Sequence, residues 1–330
     1  MRTALRQLAS NRRRRAGSFA LDHPQRRACA LRTAFLGTSS FAVAILRRLA
    51  DSEHRPSLVL TQPDRPRGRG RRLGPPPVAE AAVELELDLE QTDDASGPGA
   101  LERIRASGAE AGVVCAFGQI IREPLLSELC LLNVHPSLLP RWRGAAPIER
   151  AILAGDDRTG VAIMRVAEAL DAGPVALAER VTVGEDDFGA LSARLERLGG
   201  ELVVRALDLL AGGTLELVEQ DDSEATYADK IRSEERRLDP GRPASELARV
   251  VRALTPHIGA YLELAGGERL GVRAARAEPG ALARGELLAE GGLVLGCSEG
   301  VLRITEVQPP GRRPMASEAY LRGHAGLRLR

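Results

Sequence analysis

From Leu132 to Pro147 the chain reads Leu-Asn-Val-His-Pro-Ser-Leu-Leu-Pro-Arg-Trp-Arg-Gly-Ala-Ala-Pro, and a second polar punctuation, Leu170-Asp171-Ala172-Gly173-Pro174, follows closely. Asn133 and His135 stand two residues apart after the apolar run Leu129 to Leu132, so a strand continuing through them points both side chains to one side. An amide, an imidazole and the carboxylate of Asp171, with no Ser or Cys nucleophile between them, suit acyl transfer by direct attack of an amine. The carbonyl oxygen gains negative charge in that step, which donors on Asn133 and His135 would stabilise. Asp171 would fix the imidazole and help remove the amine proton; an α-amine of pKa about 7.7 to 8.0 is already partly neutral at pH 7. Taken alone, Asn-x-His is a turn residue beside a hydrogen-bonded histidine, and Asp-Ala-Gly-Pro is a turn.

These groups need a scaffold that ends strands side by side. The runs Thr33 to Leu36, Ser57 to Leu60, Ala111 to Phe117, Leu131 to His135 and Val161 to Val166 predict strands. Between them Phe41 to Ala50, Val78 to Leu85, Ala100 to Ala106, Glu123 to Leu129, Ala146 to Ala154 and Phe188 to Leu210 have helical spacing. The alternation predicts an α/β domain over residues 31–212, with a mostly parallel, Rossmann-like sheet whose ligands bind beyond the strands' carboxyl ends. Gly37-Thr38, Gly118 and His135 then share one rim. Gly37 is not part of a Gly-x-Gly-x-x-Gly fingerprint, so a dinucleotide site has little support. Residues 213–243, rich in Asp, Glu, Arg and Gly, predict a linker. A helix from Ala244 to Leu254 follows, and the short runs Ala260 to Leu264, Leu270 to Val272, Gly285 to Leu288, Leu293 to Cys297 and Val301 to Val307 predict a small antiparallel barrel over residues 244–330.

Asn133 to Pro147 and Gly160 to Pro174 together resemble the folate-dependent formyltransferases. The resemblance starts at Leu31-Arg32-Thr33-Ala34-Phe35-Leu36-Gly37-Thr38. It recurs at Thr61-Gln62-Pro63-Asp64-Arg65-Pro66 and Ala116-Phe117-Gly118-Gln119-Ile120, and returns at Tyr227-Ala228-Asp229-Lys230-Ile231, Glu234-Glu235, Thr255-Pro256 and Gln308 to Met315. It therefore covers nearly the whole chain from about Leu31 onward.

The resemblance implies catalytic roles for Asn133, His135 and Asp171, with the formyl group of 10-formyltetrahydrofolate among them and an OB-like barrel as the second domain. It implies that main-chain groups at Phe117, Gly118, Gln119 and Ile120 and near Leu170 read the flat ring of the folate, while Ser137, Leu138, Leu139 and Pro140 shape the donor pocket. It implies that the acceptor is the α-amine of a methionyl initiator tRNA. Arg65, Arg67, Arg69, Arg71 and Arg72 form a Gly- and Pro-threaded loop on the ligand rim. In isolation such a run is a solvated loop; by resemblance it meets the tRNA acceptor stem, with Arg69 matching the family's loop arginine. Arg141, Trp142, Arg143, Lys230, Arg312 and Arg313 are further expected tRNA contacts. Ala162, Ala169, Pro136 and Ile258 depart from the family's usual residues, and Ala169 and Pro136 restrict the backbone beside the donor. Rival readings are a formyltransferase for a sugar nucleotide or glycinamide ribonucleotide, or a tRNA-binding protein whose active site has decayed.

Composition sets the frame. A chain of 330 residues, 44% apolar and 28% charged, is long enough for two domains with real cores. Lys230 is the one lysine against 45 arginines, which fits a coding bias better than a function. Residues 1–32 hold nine Arg against Asp22, a charge of +8, so a formal net of +1 leaves 1 − 8 = −7 for residues 33–330, and a tRNA partner must meet local basic stripes. Cysteines at 29, 115, 130 and 297 lack metal or redox spacing, and Cys115 reads as a small buried hydrophobe; neither a metal nor a disulfide is expected. No apolar run is long enough to span a membrane, and a cytoplasmic monomer is expected. Residues 1–30, Arg-rich and nearly free of acid, fit a disordered tail or a misplaced start better than a transit peptide.

Overall fold

The computed structural model describes residues 30–67, 72–289, 292–324 and 329. The Arg-rich extension, up to residue 29, and the loop residues Arg69 and Arg71 lie outside them. In chain order the first domain contains β1 (Thr33–Gly37), α1 (Ser40–Ala50), β2 (Pro56–Thr61), β3 (Arg65–Arg67), β4 (Arg72–Gly74), α2 (Pro77–Glu84), β5 (Leu89–Gln91), α3 (Pro98–Ser107), β6 (Ala111–Cys115), α4 (Leu125–Glu128), β7 (Cys130–His135), β8 (Arg143–Gly144), α5 (Pro147–Ala154), β9 (Arg158–Arg165), β10 (Val175–Thr182) and α6 (Phe188–Ala211). Seven strands form one sheet in the order β10-β9-β7-β6-β1-β2-β5. The pairs among β7, β6, β1, β2 and β5 are parallel, and β9 and β10 add an antiparallel edge.

Each central strand splits its apolar residues between two layers with period two. Phe35, Val59, Val113, Leu132 and Val134 pack on one face with α1, α2 and α6, while Leu36, Leu58, Leu60, Val114 and Leu131 pack on the other with α3 and α4. The 24-residue α6 is capped by Asp187, whose Oδ1 accepts from the Ala190 amide at 2.8 Å. Its Gly199 lets the helix lie close against β7, since a Cβ there would stand 2.9 Å from Val134 Cγ1.

Within the seven-stranded sheet, two strands escaped sequence pattern. β5 has three residues, and β10 lies at the sheet edge with most of its side chains partly or fully exposed, so neither carries an apolar signature. On either side of residues 68–71, β3 and β4 pair antiparallel, Arg65 with Gly74 and Arg67 with Arg72.

Beyond α6, β11 (Tyr227–Ala228) pairs in parallel with β8. Helix α7 (Ala244–Leu254) presents Leu247, Val250, Val251 and Leu254 as one buried stripe, packing against both α5 and the following sheet. That sheet is antiparallel and curled: β12 (Ala260–Glu263), β13 (Arg269–Glu278), β14 (Leu287–Leu288), β15 (Leu293–Gly296), β16 (Val301–Gln308) and β17 (Met315–Ala316), then α8 (Ser317–Leu321). Its order is β12-β13-β16-β15-β14, with β17 on β16. β13 runs well past the predicted Leu270 to Val272 because register shifts around Ala274 break its alternation while the pairing continues.

Candidate active site

The strand β7 carries its last apolar residue on the α3 side, Leu131, into the core, and Asn133 and His135 follow on that same side where the helical cover stops. Antiparallel pairing sets Met164 across from Asn133 and Ala162 across from His135. Directly opposed residues share a face, so the one-carbon side chain of Ala162 lies beside the imidazole.

The carboxylate arrives from the β9–β10 connection. The Arg165 amide bonds the Pro174 carbonyl at 2.9 Å, and Gly173 passes so close that a Cβ would lie 1.9 Å from the Arg165 carbonyl oxygen. This folds the loop back over β7, with Asp171 left-handed at φ 49°, a conformation costing about 1–2 kcal/mol in a non-glycine residue. Asp171 Oδ2 accepts from the Gly144 amide at 2.8 Å and lies 3.7 Å from His135 Nδ1; its Oδ1 lies 3.4 Å from Asn133 Nδ2. His135 Nε2 donates to the Trp142 carbonyl at 2.9 Å. The Trp142 carbonyl therefore holds the imidazole at Nε2, and Asp171 faces its other nitrogen. The side chains of His135 and Asp171 are 5% and 13% exposed, where charge interactions are strengthened by the loss of water.

In the neighbouring Arg141-Trp142-Arg143, Arg141 is exposed, Trp142 half-buried and Arg143 buried. Arg141 forks onto Asp156 at 2.9 and 2.7 Å, the Trp142 indole N–H donates to the same carboxylate at 2.8 Å, and the guanidinium lies 4.4 Å from the indole centroid. The Asp156 contact raises the Arg141 pKa above its ordinary value, chiefly through the side-chain hydrogen bond. Asp156 also borders a cavity of about 810 Å³ between α5, β9, β10 and α7, lined by Arg158, Arg249 and Arg252 among others. Arg143, expected to touch tRNA, has a side chain 4% exposed and spends its guanidinium on Gln220 and Asp222. It is an internal brace, and a tRNA contact does not fit its position.

Residues 31–207 match the formyl transferase family, and residues 230–325 match the formyl transferase C-terminal domain. The methionyl-tRNA formyltransferase of Methylococcus capsulatus is 43% identical over 310 residues, spanning 91% of this chain and 99% of its own length. The chain belongs to the formyl transferase family. A second methionyl-tRNA formyltransferase, from a Methylobacterium species, is 44% identical over 299 residues, 89% of this chain and 96% of that protein. The fold is also that of HypX from Aquifex aeolicus, solved in complex with tetrahydrofolic acid, at a TM-score of 0.64 and 19% identity over 88% of this chain; the chain spans about half (47%) of HypX.

The rim of this formyl transferase is arranged around Phe117. Its side chain is buried, and its carbonyl accepts from Thr38 Oγ1 and Gln62 Nε2, both at 2.8 Å, so it is already engaged. Thr38 and Gln62 thus hold the strand ends together, a role their place after β1 and β2 permits but does not announce. Gly118 turns at φ 75°. The Gln119 side chain is spent on segment 92–95, donating to the Thr92 carbonyl at 2.6 Å and accepting from the Ala95 amide at 3.0 Å. Ile120 and Leu170 stand 79% and 67% exposed on this rim, large apolar groups with nothing covering them. Ser137 is fully buried and bonds the Arg141 carbonyl at 2.6 Å, making it a turn brace, while Leu138, Leu139 and Pro140 are half-buried.

Arg65, Arg72, Lys230, Arg312 and Arg313 are exposed. Cys115 is fully buried, which pushes its thiol pKa far up and leaves it inert. Among the described residues no His, Cys, Asp and Glu group could hold a metal, and no helix is long and apolar enough to cross a membrane.

Proposed function

We propose that this formyl transferase moves the formyl group of 10-formyltetrahydrofolate onto the α-amine of methionyl initiator tRNA, as a monomer in the cytoplasm. The observation that carries the reading is the meeting of Asp171 with both Asn133 and His135 at the end of β7. The relatives' names support the acceptor, and the tetrahydrofolic acid bound by HypX supports the donor class. Exposed Ile120, two residues after Gly118, and exposed Leu170, next to Asp171, suit a flat ring with polar edges.

In this reading the donor supplies an activated formyl carbon. The amine nitrogen forms a bond to that carbon, the bond from carbon to the folate nitrogen breaks, and the proton lost by the amine is balanced by one delivered to the leaving nitrogen. The Asn133 amide stabilises the charge growing on the carbonyl oxygen. The Nε2 proton of His135 is held by the Trp142 carbonyl, which leaves Nδ1 facing Asp171 and placed to take part in the proton transfer. Asp171 also assists removal of the amine proton, its Oδ2 steadied by the Gly144 amide. Residues 31–212 would carry this chemistry. Residues 244–330, with Lys230, Arg312, Arg313 and the arginines Arg65, Arg67, Arg69, Arg71 and Arg72, would hold tRNA through phosphate contacts.

The test is formyl transfer from 10-formyltetrahydrofolate to methionyl initiator tRNA, with a sugar nucleotide and glycinamide ribonucleotide as competing acceptors. Turnover confined to the tRNA supports the reading. Preference for either small acceptor overturns the assigned substrate, and tRNA binding without turnover at saturating donor overturns the enzyme.

A further inference from the structure

We propose that Gln220, in the segment between the two domains, is a positioning residue that holds Asp171 in its left-handed conformation against Asn133 and His135. The inference rests on the catalytic reading of Asp171 given above and adds a group that touches neither donor nor acceptor.

Gln220 Nε2 donates to the main-chain carbonyls of Asp171 at 2.9 Å and Gly173 at 2.6 Å. Its Oε1 accepts from Arg143 Nε at 3.1 Å and Nη2 at 2.9 Å. Two N–H donors and both oxygen lone pairs are thus used, and a flipped amide would set its NH2 against a guanidinium, so the orientation is fixed by chemistry. Arg143 Nη2 also donates to Asp222 Oδ1 at 2.7 Å, and Val218 and Val175 exchange both main-chain bonds, at 2.8 and 2.9 Å, so a single antiparallel bridge pins the segment beside the loop's exit.

The dipeptide Arg143-Gly144 consequently grips Asp171 at both ends. The Gly144 amide holds the carboxylate directly, and the Arg143 side chain holds the carbonyl through Gln220. A left-handed aspartate relaxes unless its surroundings over-determine it. Few side chains could replace this glutamine, because glutamate cannot donate to the two carbonyls, lysine cannot accept from Arg143, and asparagine is one methylene short.

The experiment is steady-state formyl transfer by the full chain bearing Gln220→Glu, Gln220→Met, Asp171→Asn and the double variant Gln220→Glu with Asp171→Asn, alongside thermal melts. The expected result for either Gln220 variant is a fall in kcat of about tenfold to a hundredfold, with KM for donor and tRNA within about threefold; Gln220→Glu, which keeps an acceptor for Arg143, should melt close to wild type, and Gln220→Met, which does not, should melt lower while staying folded. In the double variant Gln220→Glu should cost nothing further, because the group it positions is gone. Full turnover in both Gln220 variants overturns the proposal, as does a loss that adds fully to that of Asp171→Asn. If both variants fail to fold, Gln220 serves the fold and the positioning role is wrong. If Asp171→Asn itself turns over like wild type, the catalytic reading is what has failed, a result distinct from an inactive Asp171→Asn beside a fully active Gln220→Glu.

Discussion

The Nε2 of His135 lies 2.9 Å from the main-chain carbonyl of Trp142. A carbonyl only accepts, so the ring proton sits on Nε2 and Nδ1 is the nitrogen turned toward Asp171. Trp142 occupies the left-handed region at φ 63° with its indole tied to Asp156, so the carbonyl's direction is set from outside the catalytic cluster. His135→Ala should lower kcat about a hundred- to ten-thousandfold with little change in tRNA binding. Unchanged single-turnover rates at saturating substrates would refute its role.

Asn133→Ala removes one donor from the carbonyl oxygen and leaves the strand intact, since β7 is anchored by Leu132 and Val134. The expected loss is about a hundred- to thousandfold in kcat with KM nearly unchanged. A variant that raises KM and keeps kcat would place Asn133 in binding instead.

Gly173→Ala should be costly out of proportion to its size. The added Cβ would overlap the Arg165 carbonyl, which is backbone and cannot step aside. The loop must shift and carry Asp171 with it, and a displacement of about 1 Å in a catalytic group can cost about a hundredfold in rate. Wild-type kcat in a folded Gly173→Ala protein would show that the loop's path is not important.

Arg143 and Arg65 should separate cleanly. Arg143→Ala removes charge-assisted hydrogen bonds from a buried site, worth about 1.5–3 kcal/mol each, and should lower stability to denaturant without changing how tRNA affinity depends on salt. Arg65→Ala should raise KM for tRNA and reduce the slope of log affinity against log salt by about one. The opposite pattern would return Arg143 to the nucleic-acid surface.

Glu235 gives a pH dependence with a definite sign. The hydrogen bond from Arg150 is the largest influence holding its carboxyl below the ordinary glutamate value. A depressed folded pKa means that this stabilisation is present above the unfolded value of about 4.3 and is lost as pH falls through the folded value. Glu235→Gln should therefore destabilise the protein at pH 7 and flatten its loss of melting temperature on acidification below about pH 4.3. Parallel melting curves for the two proteins across that range would count against it.

What the sequence made legible follows from range of interaction. The run Leu129 to Leu132 announced β7 and the common face of Asn133 and His135, and the stripe from Leu247 to Leu254 announced α7 with its ends. β10 stayed hidden because an exposed edge strand such as Val-Ala-Leu-Ala-Glu-Arg has little apolar alternation. Arg143 was misjudged because its partners Gln220 and Asp222 lie 77 and 79 residues downstream, in a stretch whose polar composition marks it only as a connection. Asp171 was placed beside Asn133 by resemblance; the physical reason, the close pass of Gly173 over Arg165, is visible only in three dimensions.

Helix α7 ties the two halves of the molecule together. Its stripe of Leu247, Val250, Val251 and Leu254 belongs to a single apolar cluster that also contains Leu195 and Leu202 of α6 and Leu270, Leu302 and Ile304 of the curled sheet. The halves are therefore not detachable cassettes. A chain cut at the connection would expose a greasy scar on each piece, and heat should take the intact molecule apart in one cooperative step rather than half by half.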